Sequence, residues 1–315
     1  MYFVGVDLAW GEISQSGVAV VDADGRLVHL GTAHDDASIE NTLSAYVRDD
    51  CLVALDAPLV VNNPAGHRPC DRALNRDFGR FEAGARPAYT GRPEFSSVPR
   101  GARLAGALAL DIDPHSQAKR RAIEVYPHPA TVVLFGLDRT LKYKRGPLGT
   151  RQRELLQLMT LIERLDEATP RLRVNRNVAW VELRNRVTAA TRPAQLDGAE
   201  DPVDAVMCAY IALYWYHRPE DVTIYGDVAT GYIVTPALPS AVGTPSAKPH
   251  EPDDVARRLA RLAALLEDAQ QVRSSSAAAF ASTRRALIRR FPLPCGPSNG
   301  DRGMLERCEN VDDFE

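Results

Sequence analysis

The segment Tyr2-Phe-Val-Gly-Val-Asp-Leu-Ala is a short apolar run that contains a single acid, Asp7. A bounded apolar run of this length predicts a buried β-strand. An unpaired carboxylate is costly in such a strand, so it is retained where a cation meets it. Mg²⁺ and Mn²⁺ prefer oxygen ligands, which makes Asp7 a candidate metal ligand as well as the marker of the first strand.

The residues that follow predict the rest of a mixed sheet. Residues 17–22 and 26–32 flank the turn sequence Asp22-Ala-Asp-Gly25 and predict a β-hairpin. Residues 38–48 have helical spacing and lead into a second apolar strand at residues 51–56. Three antiparallel strands, a helix and a strand returning beside the first predict an α/β fold, a mixed sheet flanked by helices.

The remaining sequence predicts an insertion, further helices and a C-terminal extension. Residues 58–110 are rich in Pro, Gly and Arg and predict a long insertion over one edge of the sheet. We expect a strand at 121–126, a short helix from Pro129, helices at 151–167, 178–190 and 201–216, and a closing hairpin at 222–225 and 232–234. We place the main domain at residues 1–238, and a Pro-rich linker with a helical extension at 239–315.

Composition excludes several classes of protein. The net charge of −3 gives no global positive field for nucleic acid, so such a role must depend on local patches. Five cysteines, odd in number and without a C-x-x-C pair, fit a reducing cytoplasm and argue against disulfides and structural zinc. The amino terminus has no basic n-region, and no apolar run approaches the roughly 20 residues of a membrane span, so we expect a soluble, cytoplasmic protein.

Several sequence motifs together resemble a known family. They are Gly5-Val-Asp-Leu-Ala-Trp-Gly, Ala54-Leu-Asp-Ala-Pro-Leu, Arg68-Pro-Cys-Asp-Arg, Glu124-Val-Tyr-Pro-His-Pro and the helix start Asp201-x-x-Asp-Ala. With them, roughly residues 1–235 resemble the predicted RNase H-like nucleases (domain of unknown function 429) of the ribonuclease H-like superfamily. The resemblance implies a ribonuclease H-like sheet, as in Holliday-junction resolvases and transposases, and an activity on phosphodiester bonds.

The resemblance also implies a carboxylate-bound site for two metal ions. The implied catalytic residues are Asp7, Asp56, Glu124 and Asp204, and the implied metal ligands are Asp7, Asp56, Asp204 and Asp201. Asp7 would bridge two ions roughly 3.5–4 Å apart, one activating water and one stabilising the leaving oxygen. An all-oxygen ligand set selects Mg²⁺ or Mn²⁺ over Zn²⁺.

Each acid also has an ordinary structural explanation. Asp56 can cap a turn, and Asp201 can be the N-cap of its helix. Asp204, near the start of that helix, can interact favourably with the helix macrodipole. Glu124 can pair on the surface with Arg120 or Arg121.

Arginines and a histidine are candidates for holding the substrate. Arg68, Arg72 and Arg76 of the insertion suit a phosphate, although pairing with Asp71 and Asp77 is the alternative. His128 can act as a proton shuttle or be a loop histidine with its hydrogen bonds satisfied. A second basic run without any acid borders the same cleft or forms a surface loop; it comprises Arg139, Lys142, Lys144, Arg145, Arg151 and Arg153.

Two rival functions stay open at this point. A nucleic-acid or partner-binding module can retain the fold and lose catalysis, and its binding would be salt-sensitive. An actin-like phosphotransferase would need glycine-rich phosphate loops, for which Trp10, Glu12 and Ile13 are poor and Gly226 and Gly231 somewhat better. The chain has no Walker, G-x-G-x-x-G, G-x-S-x-G or H-E-x-x-H motif. The sequence does not choose between DNA, RNA and a small phosphate ester.

Overall fold

The computed structural model describes residues 1–11 and 14–239. From residue 240 onward, the predicted linker and helical extension lie outside these described residues. Within them, no helix is both long and apolar enough to cross a membrane.

A mixed five-stranded sheet forms the centre of the fold. Its strands are β1 (Tyr2–Asp7), β2 (Ser16–Asp22), β3 (Leu27–Ala33), β4 (Cys51–Leu55) and β5 (Arg120–Glu124). The spatial order is β3-β2-β1-β4-β5, with antiparallel pairing from β1 to β3 and parallel pairing of β1 with β4 and of β4 with β5. The predicted mixed sheet, with the fourth strand beside the first, is confirmed.

Helices and a separate hairpin surround this sheet. In the described part of the chain the helices are α1 (Asp36–Leu43), α2 (Pro69–Phe78), α3 (Arg100–Ala107), α4 (Pro127–Phe135), α5 (Leu148–Glu163), α6 (Val178–Ala189) and α7 (Glu200–His217). The predicted closing hairpin is present as β6 (Val222–Asp227) and β7 (Gly231–Pro236). The resulting α/β architecture agrees with the sequence.

The structure adds detail to one local prediction and corrects another. The insertion predicted at 58–110 contains two helices, α2 and α3. Helix α2 begins with Pro69 and buries Cys70, Leu74 and Phe78 at helical spacing, a signal that the Pro, Gly and Arg content concealed. Asp201 is not an N-cap: α7 begins one residue earlier, and the Asp201 carboxylate instead accepts a hydrogen bond from Gln15 at 3.2 Å.

Helix α7 lies unusually close to the sheet because of two glycines. A Cβ atom on Gly5 of β1 would lie 2.0 Å from the Ala205 carbonyl oxygen, and one on Gly17 of β2 would lie 2.0 Å from that of Asp201. Only glycine allows such an approach without a shift of backbone. The close packing brings the first turns of α7, with Asp201 and Asp204, to the end of β1.

Candidate active site

Three acids meet at one edge of the sheet. Asp7 ends β1, Asp56 follows β4 directly, and Glu124 ends β5. The three strands are parallel, so their carboxyl ends coincide, and the Asp56 amide donates to the Val6 carbonyl at 2.9 Å. In open α/β sheets, ligands bind in a crevice at this edge.

A pocket of about 570 Å³ opens over these strand ends. Asp7, Asp56 and Glu124 line it together with the aromatic rings of Trp10 and Tyr126. Its basic side chains are Arg68, Arg86, Lys142, Lys144 and Arg145. The volume suits a small molecule or a short part of a polymer.

Asp204 reaches the site from α7 and is held by two consecutive residues. The Tyr143 hydroxyl donates to Asp204 Oδ1 at 2.6 Å, and Lys144 Nζ lies 2.7 Å from Oδ2. The second contact is an ion pair without hydrogen-bond geometry. The Asp204 side chain is 1% exposed, so both of its oxygens meet a donor or cation inside the protein.

Lys144 joins Asp204 to Asp7, whose Oδ2 lies 3.5 Å from the same ammonium. Burial opposes the charged form of Lys144, but Asp204 and Asp7 outweigh it and hold the lysine pKa well above its usual value. The sequence predicts that the basic run with Lys144 either borders the cleft or forms a surface loop, and it does not predict this contact. The absence of any acid in that run was the one available signal that its charges are neutralised elsewhere.

The positive charge near the carboxylates of Asp7 and Asp56 does not offset the cost of burying them. Burial raises the pKa of Asp7 well above its usual range, and Asp204 and Asp56 add to the effect although Lys144 opposes it. The pKa of Asp56 is raised to about 7, again by burial first, with Lys144 opposing it and Asp204 and Glu124 adding. These two carboxylates therefore favour a bound proton or an additional cation near neutral pH.

Glu124 has a very different environment. Arg68 donates to both of its oxygens, with Nη2 at 2.5 Å and Nη1 at 2.9 Å, and the Leu59 amide donates at 2.9 Å. Arg68 also pairs with Asp71 at 2.8 Å, and all three side chains are almost fully buried. Glu124 thus pairs with Arg68 and not with Arg120 or Arg121, and its oxygens are satisfied by the protein.

His128 lies in the pocket as an uncharged group. Its Nδ1 is 2.9 Å from the Thr140 hydroxyl, and its ring packs against Tyr126 and Tyr143. Burial lowers the pKa of His128 to about 4, so the imidazole is neutral at pH 7. A neutral ring can accept or donate one hydrogen bond, but it is not a ready proton donor.

The arginines predicted to hold the substrate do not act together. Arg68 is committed to Glu124 and Asp71, whereas Arg72 and Arg76 are exposed on α2 and do not line the pocket. The exposed guanidinium groups that do line it are Arg86 and Arg145. These two residues come from different segments of the chain, so no sequence pattern predicts that both line the pocket.

Gly226 and Gly231, the glycines considered for a phosphate loop, lie within the β6–β7 hairpin.

A comparison with protein families gives one match. The model of the family described as "Protein of unknown function (DUF429)" matches residues 5–230. The chain belongs to the DUF429 family. No curated protein and no solved structure matches it.

The carboxylates of this DUF429 protein differ in how far the protein itself already satisfies them. In residues 1–11 and 14–239, no three His, Cys, Asp or Glu side chains are arranged around a common point as a metal site. A two-ion site would need Asp204, which Lys144 and Tyr143 hold. Asp7 and Asp56 offer carboxylate oxygens with raised pKa values, and Mg²⁺ is commonly bound by one or two carboxylates together with water and substrate phosphate.

Proposed function

We propose that this DUF429 protein hydrolyses phosphodiester bonds with a divalent cation, Mg²⁺ or Mn²⁺, held by Asp7 and Asp56. The main support for this proposal is the uncompensated negative charge of the carboxylates at the end of β1. Of the three carboxylates of Asp7, Asp56 and Asp204, the ammonium group of Lys144 pairs with those of Asp7 and Asp204, and no ion pair to Asp56 is found in the described residues. Burying charge without a partner is expensive, and a divalent cation would remove the deficit.

The pocket margin supports a phosphate-bearing substrate. Arg86 and Arg145 are exposed there, and no ion pair to either is found in the described residues. Guanidinium groups bind phosphate oxygens through two parallel hydrogen bonds, which makes them suited to hold a substrate phosphate above the carboxylates. Trp10 and Tyr126 also line the pocket, where their rings could contact a base, and Arg92 lies over the Trp10 ring.

Each side chain then has a separate task in the reaction. Asp7 and Asp56 would hold the cation, which when bound neutralises phosphate oxygens and lowers the pKa of water. Arg86 and Arg145 orient the phosphate, and the neutral His128 accepts or donates a hydrogen bond at the pocket wall. Glu124 and Arg68 fix the wall itself through their buried ion pair.

We also infer a ribonuclease H-like sheet for this domain. Three antiparallel strands are followed by a helix and two parallel strands on the other side of β1, as the sequence resemblance implies. The placement of Asp7 on β1, Asp56 after its neighbour and Asp204 near the start of a helix packed on the sheet supports the same inference.

A Mn²⁺ titration by calorimetry, carried into the millimolar range, tests the cation site. Wild type should bind, Asp7→Asn should lose binding, and the control Asp24→Asn, in an exposed hairpin turn, should bind as wild type does. Equal binding by all three proteins, or none by wild type, would overturn the site.

A cleavage panel then tests the reaction. Single- and double-stranded DNA and RNA and a small aryl phosphodiester should include at least one substrate that wild type hydrolyses with Mn²⁺ and Asp7→Asn does not. Salt-sensitive binding of a nucleic acid without cleavage of any substrate would instead favour the binding module.

A further inference from the structure

Lys144 occupies the position between Asp7 and Asp204 that a second metal ion would need. Its ammonium nitrogen lies 3.5 Å from Asp7 Oδ2 and 2.7 Å from Asp204 Oδ2. We propose that Lys144 is a built-in second cation, so that the site takes one divalent ion, at Asp7 and Asp56, and not two. This inference depends on the proposed function, because it assigns the number of ions at that same site.

The segment that carries Lys144 is fixed by its own contacts. On one side, Glu154 of α5 accepts the Lys142 amide at 2.6 Å and pairs with Arg139 at 2.8 Å. On the other, the Arg151 side chain donates to the Tyr143 carbonyl at 3.3 Å. These contacts hold the backbone around Tyr143 and Lys144 in place. The fold therefore positions both side chains against Asp204.

Asp204 has little capacity left for a metal ion. Tyr143 donates to one of its oxygens, and Lys144 neutralises the other. A divalent ion bridging Asp7 and Asp204 would lie within a few ångströms of the ammonium, where two positive charges repel strongly because the surroundings are buried. Asp56 is not in contact with Lys144 through any ion pair in the described residues, so the side of Asp7 toward Asp56 is where a cation can bind.

Lys144 remains able to touch a substrate. Its side chain is 37% exposed and lines both the 570 Å³ pocket and a second cavity, of about 540 Å³, that contains Asp201 and Gln15. An ammonium group has three N–H donors, and the contacts of Lys144 with Asp204 and Asp7 are ion pairs, so its N–H groups can also donate to a phosphate oxygen. The lysine can therefore carry out the charge-neutralising part of a second ion's role without being a metal.

The test counts bound ions in metal-free protein titrated with Mn²⁺. Calorimetry should give one ion for wild type and two for Lys144→Gln, because the neutral amide frees Asp204 as a ligand. Electron paramagnetic resonance should change from an isolated-ion spectrum in wild type to an exchange-coupled pair in Lys144→Gln. The double variant Lys144→Gln/Asp204→Asn should return to one ion, and Lys144→Arg should stay at one. Lys119→Ala, which removes an exposed lysine paired with Asp50, is the matched control and should bind one ion.

The outcomes separate this inference from the proposed function. Two coupled ions in wild type, or one ion in both wild type and Lys144→Gln, would overturn the role of Lys144 and leave the metal site in place. Absence of Mn²⁺ binding in wild type would overturn the proposed function and this inference with it. Circular dichroism and thermal melting identify a variant that fails to fold; Lys144→Met then replaces Lys144→Gln with the same expected count.

Discussion

Glu124 ends β5 and Asp56 directly follows the neighbouring parallel strand β4, yet only the Glu124 carboxylate has protein partners in the described residues. Glu124 receives two guanidinium hydrogen bonds from Arg68 and one from a backbone amide. No hydrogen bond or ion pair to the Asp56 carboxylate is found in residues 1–11 and 14–239, and its pKa is raised to about 7. Burial alone therefore does not show whether an acid is compensated. The two acids differ in whether the fold supplies a positive partner.

The largest expected effect is a fall in the free energy of unfolding when Glu124 loses its partner Arg68. Arg68→Met leaves Glu124 and Asp71 buried without a counter-ion, and breaking a buried pair in this way costs about 3–5 kcal/mol. Urea unfolding should show this loss in the free energy of unfolding. Arg72→Met, on the exposed face of α2, is the control and should change it by less than about 0.5 kcal/mol. Equal stability of the two variants would mean that Glu124 is as uncompensated as Asp56.

The next largest effect concerns the close packing of α7 on β1, which brings Asp204 near Asp7 and Asp56. Gly5→Ala places a Cβ atom 2.0 Å from the Ala205 carbonyl oxygen, so α7 must move away from β1. We expect a loss of about 1–3 kcal/mol, the usual cost of overpacking, measured by urea unfolding. In Gly106→Ala the new methyl group meets no atom within 4 Å, and this helical substitution should stabilise by about 0.5–1 kcal/mol. A Gly5→Ala protein as stable as wild type would contradict the close packing of α7.

The sequence predicted the acids better than it predicted their partners. Asp7 and Asp56 follow from strand-length apolar runs that an acid interrupts or ends, a local pattern that one sequence displays. The Arg68–Glu124 pair joins residues 56 positions apart, and the Lys144–Asp204 pair joins residues 60 apart. No periodicity records such pairs, because they depend on how α2 and the segment before α5 pack on the sheet. The sequence therefore predicts that Arg68 holds substrate or pairs with an aspartate of the insertion, and that Lys144 lies in a basic run that borders the cleft or forms a surface loop.

The pH dependence of stability should report the ionisation of Asp56. Burial raises the pKa of Glu124 as well, although Arg68 opposes this shift, so the test isolates Asp56 by substitution. An aspartate whose pKa is raised by folding binds its proton more tightly when folded, so ionising it destabilises the protein as pH rises from about 4 through about 7. In the presence of EDTA, wild type should lose stability relative to Asp56→Asn as the pH rises from about 4 to about 7. Each pKa unit corresponds to about 1.4 kcal/mol, and partial exposure of Asp56 to the pocket reduces the expected difference to about 1–2 kcal/mol.

Unfolding curves at several pH values measure this difference directly. Asp24→Asn, which removes an exposed carboxylate, should follow the wild-type pH profile. Parallel profiles for wild type and Asp56→Asn would mean that Asp56 ionises as easily in the folded protein as in the unfolded chain.

The smallest effect on stability concerns the guanidinium groups at the pocket margin. Arg86 and Arg145 are exposed and without an ion-pair partner in the described residues, unlike the buried Arg68. Arg86→Ala and Arg145→Ala should each change the free energy of unfolding by less than about 0.5 kcal/mol. Each should nevertheless weaken binding of a phosphodiester substrate by about tenfold, since a charge-assisted hydrogen bond contributes roughly 1.5–3 kcal/mol before solvent screening. A substitution that lowered stability and left binding unchanged would make that arginine a structural residue like Arg68, and the phosphate would then have to be held by the other arginine and Lys144.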